Sequence, residues 1–245
     1  MAKIHKNKNP NRKRLSVLLV MQVVFAVLPV ILLLYFLSSM DNFHNYVFAY
    51  IIVAAMVLCG SAYFFLARQY SILLSGIKGE RSLYKIAKRL GGSCNVYLNL
   101  PVRYKKNRSE IDMLVVSEKG VLVIEAKNHS GFISGNDTDQ FWRQYKRYKD
   151  GRETCSEIEN PVRQVNRQRE ILKNILKSEG VNLWIYCAVY YSNPFVKLDL
   201  TLRDTSIVIK GENELLNLIK YSDTKERLQP EVLSKINEIV TDLEV

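Results

Sequence analysis

The sequence has few cysteines, and it lacks internal repeats and low-complexity tracts. The four cysteines, Cys59, Cys94, Cys155 and Cys187, form no CxxC pair and have no ligand-like spacing, which argues against a zinc site. Cys59 and Cys187 lie within apolar runs, a position typical of packing residues rather than of a disulfide framework. The cysteines therefore predict neither a zinc site nor a disulfide framework.

Charge is absent from two long stretches, Leu15–Leu37 and Val47–Ala67. Each exceeds the roughly 20 apolar residues that cross a bilayer core as a helix. A cleaved signal peptide would have a shorter apolar core of about 7–15 residues, and a buried soluble hairpin remains the other alternative. The pattern predicts two transmembrane helices, at residues 15–37 and 47–67, in contact with a lipid bilayer.

Positive charge surrounds the predicted membrane segments. Residues 1–14 contain six Lys or Arg and no acid, whereas Asp41 is the only charged residue of the connecting loop, 38–46. Lys and Arg are retained on the cytoplasmic side of membrane helices. We therefore expect a multi-pass protein of the cell membrane, with both termini and the soluble domain cytoplasmic and the loop external.

The remaining chain is predicted to hold one α/β domain. After the membrane segments we predict a linker at residues 68–75 and then the domain itself, at 76–191. A C-terminal strand and helices at 192–245 complete that domain. Of the net charge of +11, a large part comes from the cations of the N-terminal arm. The soluble part is only mildly basic, which permits a nucleic-acid partner without requiring one.

A hairpin carries the candidate chemistry. With a two-residue turn, Ser117 pairs with Gly120 and Asp112 lies opposite Glu125, and opposed side chains are about 5 Å apart. Lys127 shares the face of Glu125 because the strand period is two. Two carboxylates that close together repel unless a cation lies between them or one is protonated. A bulge at the glycine would change this register, so the pairing is a hypothesis.

Two polar side chains fall on predicted apolar helix faces. Glu80 lies on the inward stripe of a helix at residues 77–90, and Gln164 lies in the apolar arc of a helix that begins at Asn160-Pro161. Asn is a favourable N-cap, and Pro is favourable at the first helical position. Glu80 paired with a basic group and Gln164 as an ordinary satisfied amide are the structural alternatives.

These residues, in this order, resemble the nuclease-related domain family, NERD, of the PD-(D/E)xK nuclease superfamily. The resemblance covers about residues 76–191 and implies a restriction-endonuclease-like mixed sheet flanked by helices. Ile111 stands where the superfamily's name has Pro. The matching stretches are Gly79-Glu80, Glu110-Ile111-Asp112, Glu125-Ala126-Lys127-Asn128, Gly131, Trp142 and Asn160-Pro161-Val162-Arg163-Gln164.

The resemblance also implies roles. Asp112, Glu125 and the Ala126 backbone carbonyl would bind Mg²⁺ or Mn²⁺, ions that prefer oxygen ligands. Lys127 would be the catalytic lysine. Glu80 would support the metal or its water, and Gln164 would support the site from its helix. The expected reaction is metal-dependent hydrolysis of nucleic-acid phosphodiesters, with DNA the favoured substrate. An exposed ion pair of Glu125 and Lys127 is the plain structural alternative.

Basic residues interleaved with aromatic ones suggest where nucleic acid would bind, because stacking and phosphate contacts use these residue types. Inward packing of the rings is the structural alternative. Two further functions stay open: a catalytically silent module that binds nucleic acid or protein at the membrane, and a membrane-protein assembly factor. The predicted contact residues are Lys105, Lys106, Arg108, Trp142, Arg143 and Lys146.

Overall fold

The computed structural model describes residues 2–7, 10–38, 46–148, 150–203, 207–221 and 227–243. The chain forms two compact units. Residues 1–8 and 78–245 form one, which we call the sheet unit, and residues 9–77 form the other, the helical unit.

The helical unit contains α1, Pro10–Ser38, and the part of α2, Tyr46–Lys88, that precedes residue 78. Both helices are long and apolar enough to cross a membrane, and most of their large apolar side chains are exposed. The Nε2 of Gln22 donates to the Leu66 carbonyl over 2.9 Å, and the rings of Tyr35 and Phe48 lie 6.5 Å apart. The two contacts pair the helices in antiparallel order.

The structure refines two predicted boundaries. Residues 68–75, predicted as a linker, are helical and belong to α2. The predicted helix at 77–90 is the end of the same helix. Of the predicted external loop, residues 39–45 lie outside the described residues.

The sheet unit combines ten strands and the remaining helices of the described chain. Its elements in chain order are β1, Lys3–Lys6; the end of α2; β2, Cys94–Tyr104; β3, Asn107–Ser117; β4, Gly120–Lys127; β5, Gly131–Asn136; β6, Phe141–Arg147; β7, Glu153–Glu159; α3, Pro161–Ser178; β8, Ile185–Tyr191; β9, Val196–Thr201; β10, Ile207–Lys210; α4, Glu212–Tyr221; and α5, Pro230–Asp242.

The strands form two mixed sheets, which confirms the predicted mixed α/β architecture. The first has the order β1-β2-β3-β4-β8-β10, and the second has the order β7-β6-β5-β9. In the first sheet β4 pairs in parallel with β8, which is reached through α3. Such a crossover needs a long connection, and the helix supplies it.

The β3–β4 hairpin has the predicted register. Ser117 pairs with Gly120 and Met113 with Ile124, so the turn contains two residues and no bulge shifts the pairing. Gly120 has a φ of 122°, a backbone conformation that a side chain would strain. This register sets Asp112 and Glu125 on the next positions of their strands.

Apolar layers cover both faces of the first sheet. On one face the strands pack against α3 and α5, and on the other they pack against the end of α2 and α4. Strands β4 and β8 lie between these layers, which explains their nearly continuous apolar sequences. Polar side chains on these strands consequently stand out, and Glu125 is one of them.

Candidate nuclease site

The candidate site begins where β3 and β4 separate. Their ladder ends at the pair of Met113 and Ile124, one residue short of Asp112 and Glu125. Beyond this point the Ala126 backbone N–H donates to Oδ2 of Asp112 over 2.8 Å. The Asp112 carboxylate thus takes the place of a ladder carbonyl, which fixes its position beside Glu125.

Lys127 joins β4 to α3. Its Nζ donates to Oε1 of Glu125 over 2.7 Å and to Oε1 of Gln164 over 2.8 Å. The Glu125 side chain is only 4% exposed, and that of Lys127 is 20% exposed. The alternative of an exposed surface pair is therefore wrong, and three of the predicted site residues meet through one ammonium group.

Gln168 is a further member of the cluster; the sequence places it in the same apolar arc as Gln164, but no role was predicted for it. Its Nε2 donates to Oε2 of Glu125 and to the backbone carbonyl of Glu110, each over 2.7 Å. The side chain is fully buried, and its Oε1 has no hydrogen-bond partner among the described residues. A spacing of four residues from Gln164 places both amides on one side of α3, and that spacing was the available signal.

The start of α3 is held by Asn160. Its Oδ1 accepts from the Val162 N–H over 2.9 Å, and its Nδ2 donates to the carbonyls of Asn136, Asp137 and Asp139. Asn160 itself is fully buried. The predicted N-cap is confirmed, and it also ties the helix that carries Gln164 to the end of β5.

Glu80 lies on the end of α2 and is half-buried. Its charge contributes to raising the pKa of both Asp112 and Glu110, so it acts on the same cluster electrostatically. A Cβ on the preceding residue, Gly79, would lie 3.6 Å from the Cβ of Ala126. The helix thus approaches β4 closely at this glycine.

Burial raises the pKa of the Asp112 carboxyl well above its usual value, and the charge of Glu125 raises it further. The Ala126 hydrogen bond and the Lys127 charge act in the opposite direction. Burial is also the main cause of the raised pKa of Glu110, followed by the charges of Glu80 and Glu125. The ionised carboxylates are thus disfavoured here, and a proton or a cation would relieve their repulsion.

The oxygen donors fit a hard divalent cation. No group of three or more His, Cys, Asp or Glu suited to a metal occurs among the described residues. Asp112 and Glu125 offer two carboxylates, however, and Mg²⁺ commonly binds through one or two carboxylates while keeping several waters. The buried Oε1 of Gln168, on the amide that contacts Glu125, is a further hard oxygen without a partner in the described chain.

The residues predicted to contact nucleic acid have different exposures. Arg108, Lys105 and Lys106 are exposed at the tip of the β2–β3 hairpin. On β6, Arg143 is exposed and Lys146 is half-buried.

Trp142 corrects the predicted contact surface. It is fully buried, its Nε1 donates to the Asn136 carbonyl over 2.7 Å, and its ring packs so closely on Gly135 that a Cβ there would collide with it. A ring enclosed in this way cannot stack on a base. The prediction for Trp142 is therefore wrong, and the inward-packing alternative holds for this ring.

A model of the nuclease-related domain, NERD, matches residues 75–192. This range agrees closely with the predicted range of 76–191 and includes the whole cluster around Glu125. No curated protein and no solved structure matches the chain. Over residues 75–192 this chain is thus similar to the nuclease-related domain family.

Proposed function

We propose that the protein is a membrane-anchored, metal-dependent nuclease that hydrolyses phosphodiester bonds, with DNA as the favoured substrate. The observation that supports this most directly is the cluster in which Lys127 contacts Glu125 and Gln164. A buried structural ion pair would need no second carboxylate beside it, yet Asp112 lies close enough to be destabilised by the Glu125 charge. The cost of such an arrangement favours a functional role.

The proposed mechanism assigns a role to each side chain. Asp112, Glu125 and the Ala126 carbonyl would hold Mg²⁺ or Mn²⁺. When bound, this ion would supply an activated water and neutralise charge on the phosphate. Lys127 would stabilise the negative charge that develops on the phosphate oxygens.

Neighbouring amides keep the reacting groups in place. Gln164 holds the Lys127 ammonium on one side, while Gln168 holds the far oxygen of Glu125. Because both Glu125 oxygens are fixed by hydrogen bonds, the carboxylate needs little rearrangement before reaction. Glu80 would support the ion or its water from α2.

We also propose that α1 and α2 are the anchor. At about 1.5 Å per residue, the 29 residues of α1 exceed the roughly 30 Å of a hydrocarbon core. Strand β1 precedes α1, and β2 follows α2, yet both strands lie in one sheet. This supports a hairpin whose two ends share one side of the membrane. The Lys and Arg residues of the flanks favour the cytoplasmic side.

A cleavage assay tests the proposed activity. Full-length protein in lipid nanodiscs would be incubated with supercoiled, linear duplex and single-stranded DNA, and with RNA, with and without Mg²⁺ or Mn²⁺. We expect metal-dependent cleavage that is lost in Lys127→Ala by a factor of at least about 100, the scale seen when one charge-stabilising donor is removed. Lys197→Ala, which removes an exposed lysine of β9, is the matched control.

Metal binding is measured separately by thermal unfolding. We expect Mg²⁺ to raise the melting temperature of wild type and not of Asp112→Asn, because a ligand stabilises only a fold that binds it. Equal cleavage by wild type and Lys127→Ala, with wild type insensitive to Mg²⁺, would leave the silent binding module as the better explanation of the fold.

A further inference from the structure

A cleft with a volume of about 720 Å³ lies beside the candidate site in the sheet unit. It is lined by Arg103 and Arg108 of the β2–β3 hairpin and by Arg167 of α3. Two acids, Glu110 and Asp242, also contribute to the lining. The sequence did not single out Arg103 or Arg167 for any role.

The arginines of this cleft repel one another. Arg103 and Arg108 are directly paired across the antiparallel strands, and like charges in that arrangement destabilise a sheet. Within the described chain, no ion pair with a carboxylate involves Arg103, Arg108 or Arg167, although two acids line the same cleft. An anionic ligand would relieve this repulsion.

Helix α3 lines this cleft and also carries Gln164 and Gln168 of the candidate site. Arg167 also lines a second cleft of about 330 Å³, together with Arg163 and Gln164. Arg163 and Arg167 are four residues apart, so they lie on one side of the helix, about 6 Å apart along its axis. The arginines thus continue from the hairpin tip to Gln164, which accepts a hydrogen bond from Lys127.

We propose that Arg103, Arg108 and Arg167 form a binding site for the phosphate backbone of the nucleic acid on which the neighbouring cluster acts. This assignment rests on the proposed nuclease function. Arginine suits phosphate because its planar guanidinium donates two parallel hydrogen bonds. The cleft lining contains no aromatic side chain. The site therefore holds the backbone and reads no base sequence.

A membrane surface with anionic lipids is the other anionic partner that a membrane protein could meet, but nucleic acid fits this cleft better. The arginines line a concave cleft, whereas lipid headgroups present a broad surface. Glu110 and Asp242 lie in the same lining and would repel a uniformly anionic surface. A single strand can instead place discrete phosphates against the arginines and leave the acids uncovered.

Salt dependence of DNA binding tests the proposal without cleavage. Full-length protein in phosphatidylcholine nanodiscs, with EDTA, is titrated against fluorescein-labelled DNA of mixed sequence, as duplex and as single strand, at several salt concentrations. The logarithm of the affinity falls with the logarithm of the salt concentration, and each lost phosphate contact reduces the steepness of that fall by about one. The slopes below are given as this steepness. We expect the slope to fall by about two in R103Q/R108Q, and by about one in R167Q.

Two control variants separate the site from general charge effects. R147Q/R152Q removes the same charge from two arginines that already pair with Glu153 and Asp150, and its slope should equal that of wild type. R103K/R108K keeps the charge and should keep the slope while losing affinity. An unchanged slope in R103Q/R108Q, or the same fall in R147Q/R152Q, overturns the proposal.

A lipid arm completes the test. Vesicles of phosphatidylglycerol in phosphatidylcholine are offered to the protein in phosphatidylcholine nanodiscs. Loss of vesicle binding in R103Q/R108Q with DNA binding intact would assign the cleft to lipid and overturn the proposal.

The binding assay is also independent of catalysis. DNA binding through the arginines by a protein that never cleaves would refute only the nuclease, and cleavage with unchanged salt slopes would refute only the arginine site.

Discussion

Glu125 shows how tightly single residues are constrained in the candidate site. One oxygen accepts from Lys127 and the other from Gln168, while the side chain is almost fully buried. A buried carboxylate is costly unless it is paired, and here it has both a charged and a neutral donor. Glu125 is thus held on both sides beside Asp112, whose own ionisation is disfavoured chiefly by burial.

His129 gives a prediction about pH at the residue scale. Burial lowers the pKa of His129 from 6.5 to about 4, and the charges of Lys127 and Lys146 act in the same direction. Above pH 6.5 the histidine is neutral in folded and unfolded chains alike. Between pH 6.5 and about 4 only the unfolded chain takes up the proton, so the free energy of unfolding falls as the pH falls.

We expect His129→Gln to remove this acid sensitivity, which linkage puts at up to about 3 kcal/mol. Thermal unfolding of wild type and variant between pH 7.5 and about 4.5 measures it through tryptophan fluorescence. Plotted against pH, the melting temperatures of wild type and variant should converge or cross as the pH falls. Parallel curves over the whole range would show that the histidine is not buried neutral in the fold.

Among the elements, α3 organises the site. Gln164 and Gln168, one turn apart, contact Lys127 and Glu125 of the neighbouring strand β4. Arg163 and Arg167 face the clefts from the same helix. The position of its N-terminus therefore sets the position of both the amides and the arginines.

Asn160→Ala should loosen this helix start. It removes the N-cap bond, which contributes about 0.5–2 kcal/mol, and the Nδ2 donor to three loop carbonyls, of which the Asn136 carbonyl keeps the Trp142 donor. We expect a loss of about 3 kcal/mol in the free energy of unfolding, measured with urea. Asn160→Ser keeps a cap acceptor and brings no charge to the buried carbonyls, so its loss should be smaller. Equal stability of wild type and the alanine variant would contradict the assigned role.

For the whole molecule, the main feature is that the helical unit is inserted in the sequence of the sheet unit, between residues 8 and 78. Strand β1 pairs in parallel with β2, residues Lys3–Lys6 facing Asn95–Leu98. The Ala2 N–H donates to the Leu90 carbonyl, and the Asn7 N–H donates to the Leu98 carbonyl. The segment that precedes the apolar helices thus completes the sheet that follows them. A soluble fragment that begins at residue 68 would lack this strand.

Deletion of residues 2–7 should accordingly destabilise the sheet unit and expose β2 as an unpaired edge, which promotes association between chains. We expect a lower melting temperature and larger particles in light scattering of detergent-solubilised full-length protein. Lys3→Thr, which changes an exposed side chain and preserves the backbone pairing, should behave like wild type. A deletion variant with the melting temperature and particle size of wild type would show that the strand is dispensable.

The sequence by itself determined the local features of this protein. Two charge-free runs predicted the long apolar helices, a two-residue turn predicted the β3–β4 register, and Asn160-Pro161 predicted the start of α3. Each depends on residues close together in the chain, so periodicity, turn length and capping were sufficient evidence.

Only the tertiary structure decided which side chains and strands meet. These are the pairing of β1 with β2, the burial of Trp142 against Gly135, the contact of Gln168 with Glu125, and the meeting of Arg103 with Arg167 in one cleft. Most of them join residues more than 40 positions apart. Such contacts depend on how the layers pack, because a helical or strand period specifies which face is buried and not which residue lies opposite it.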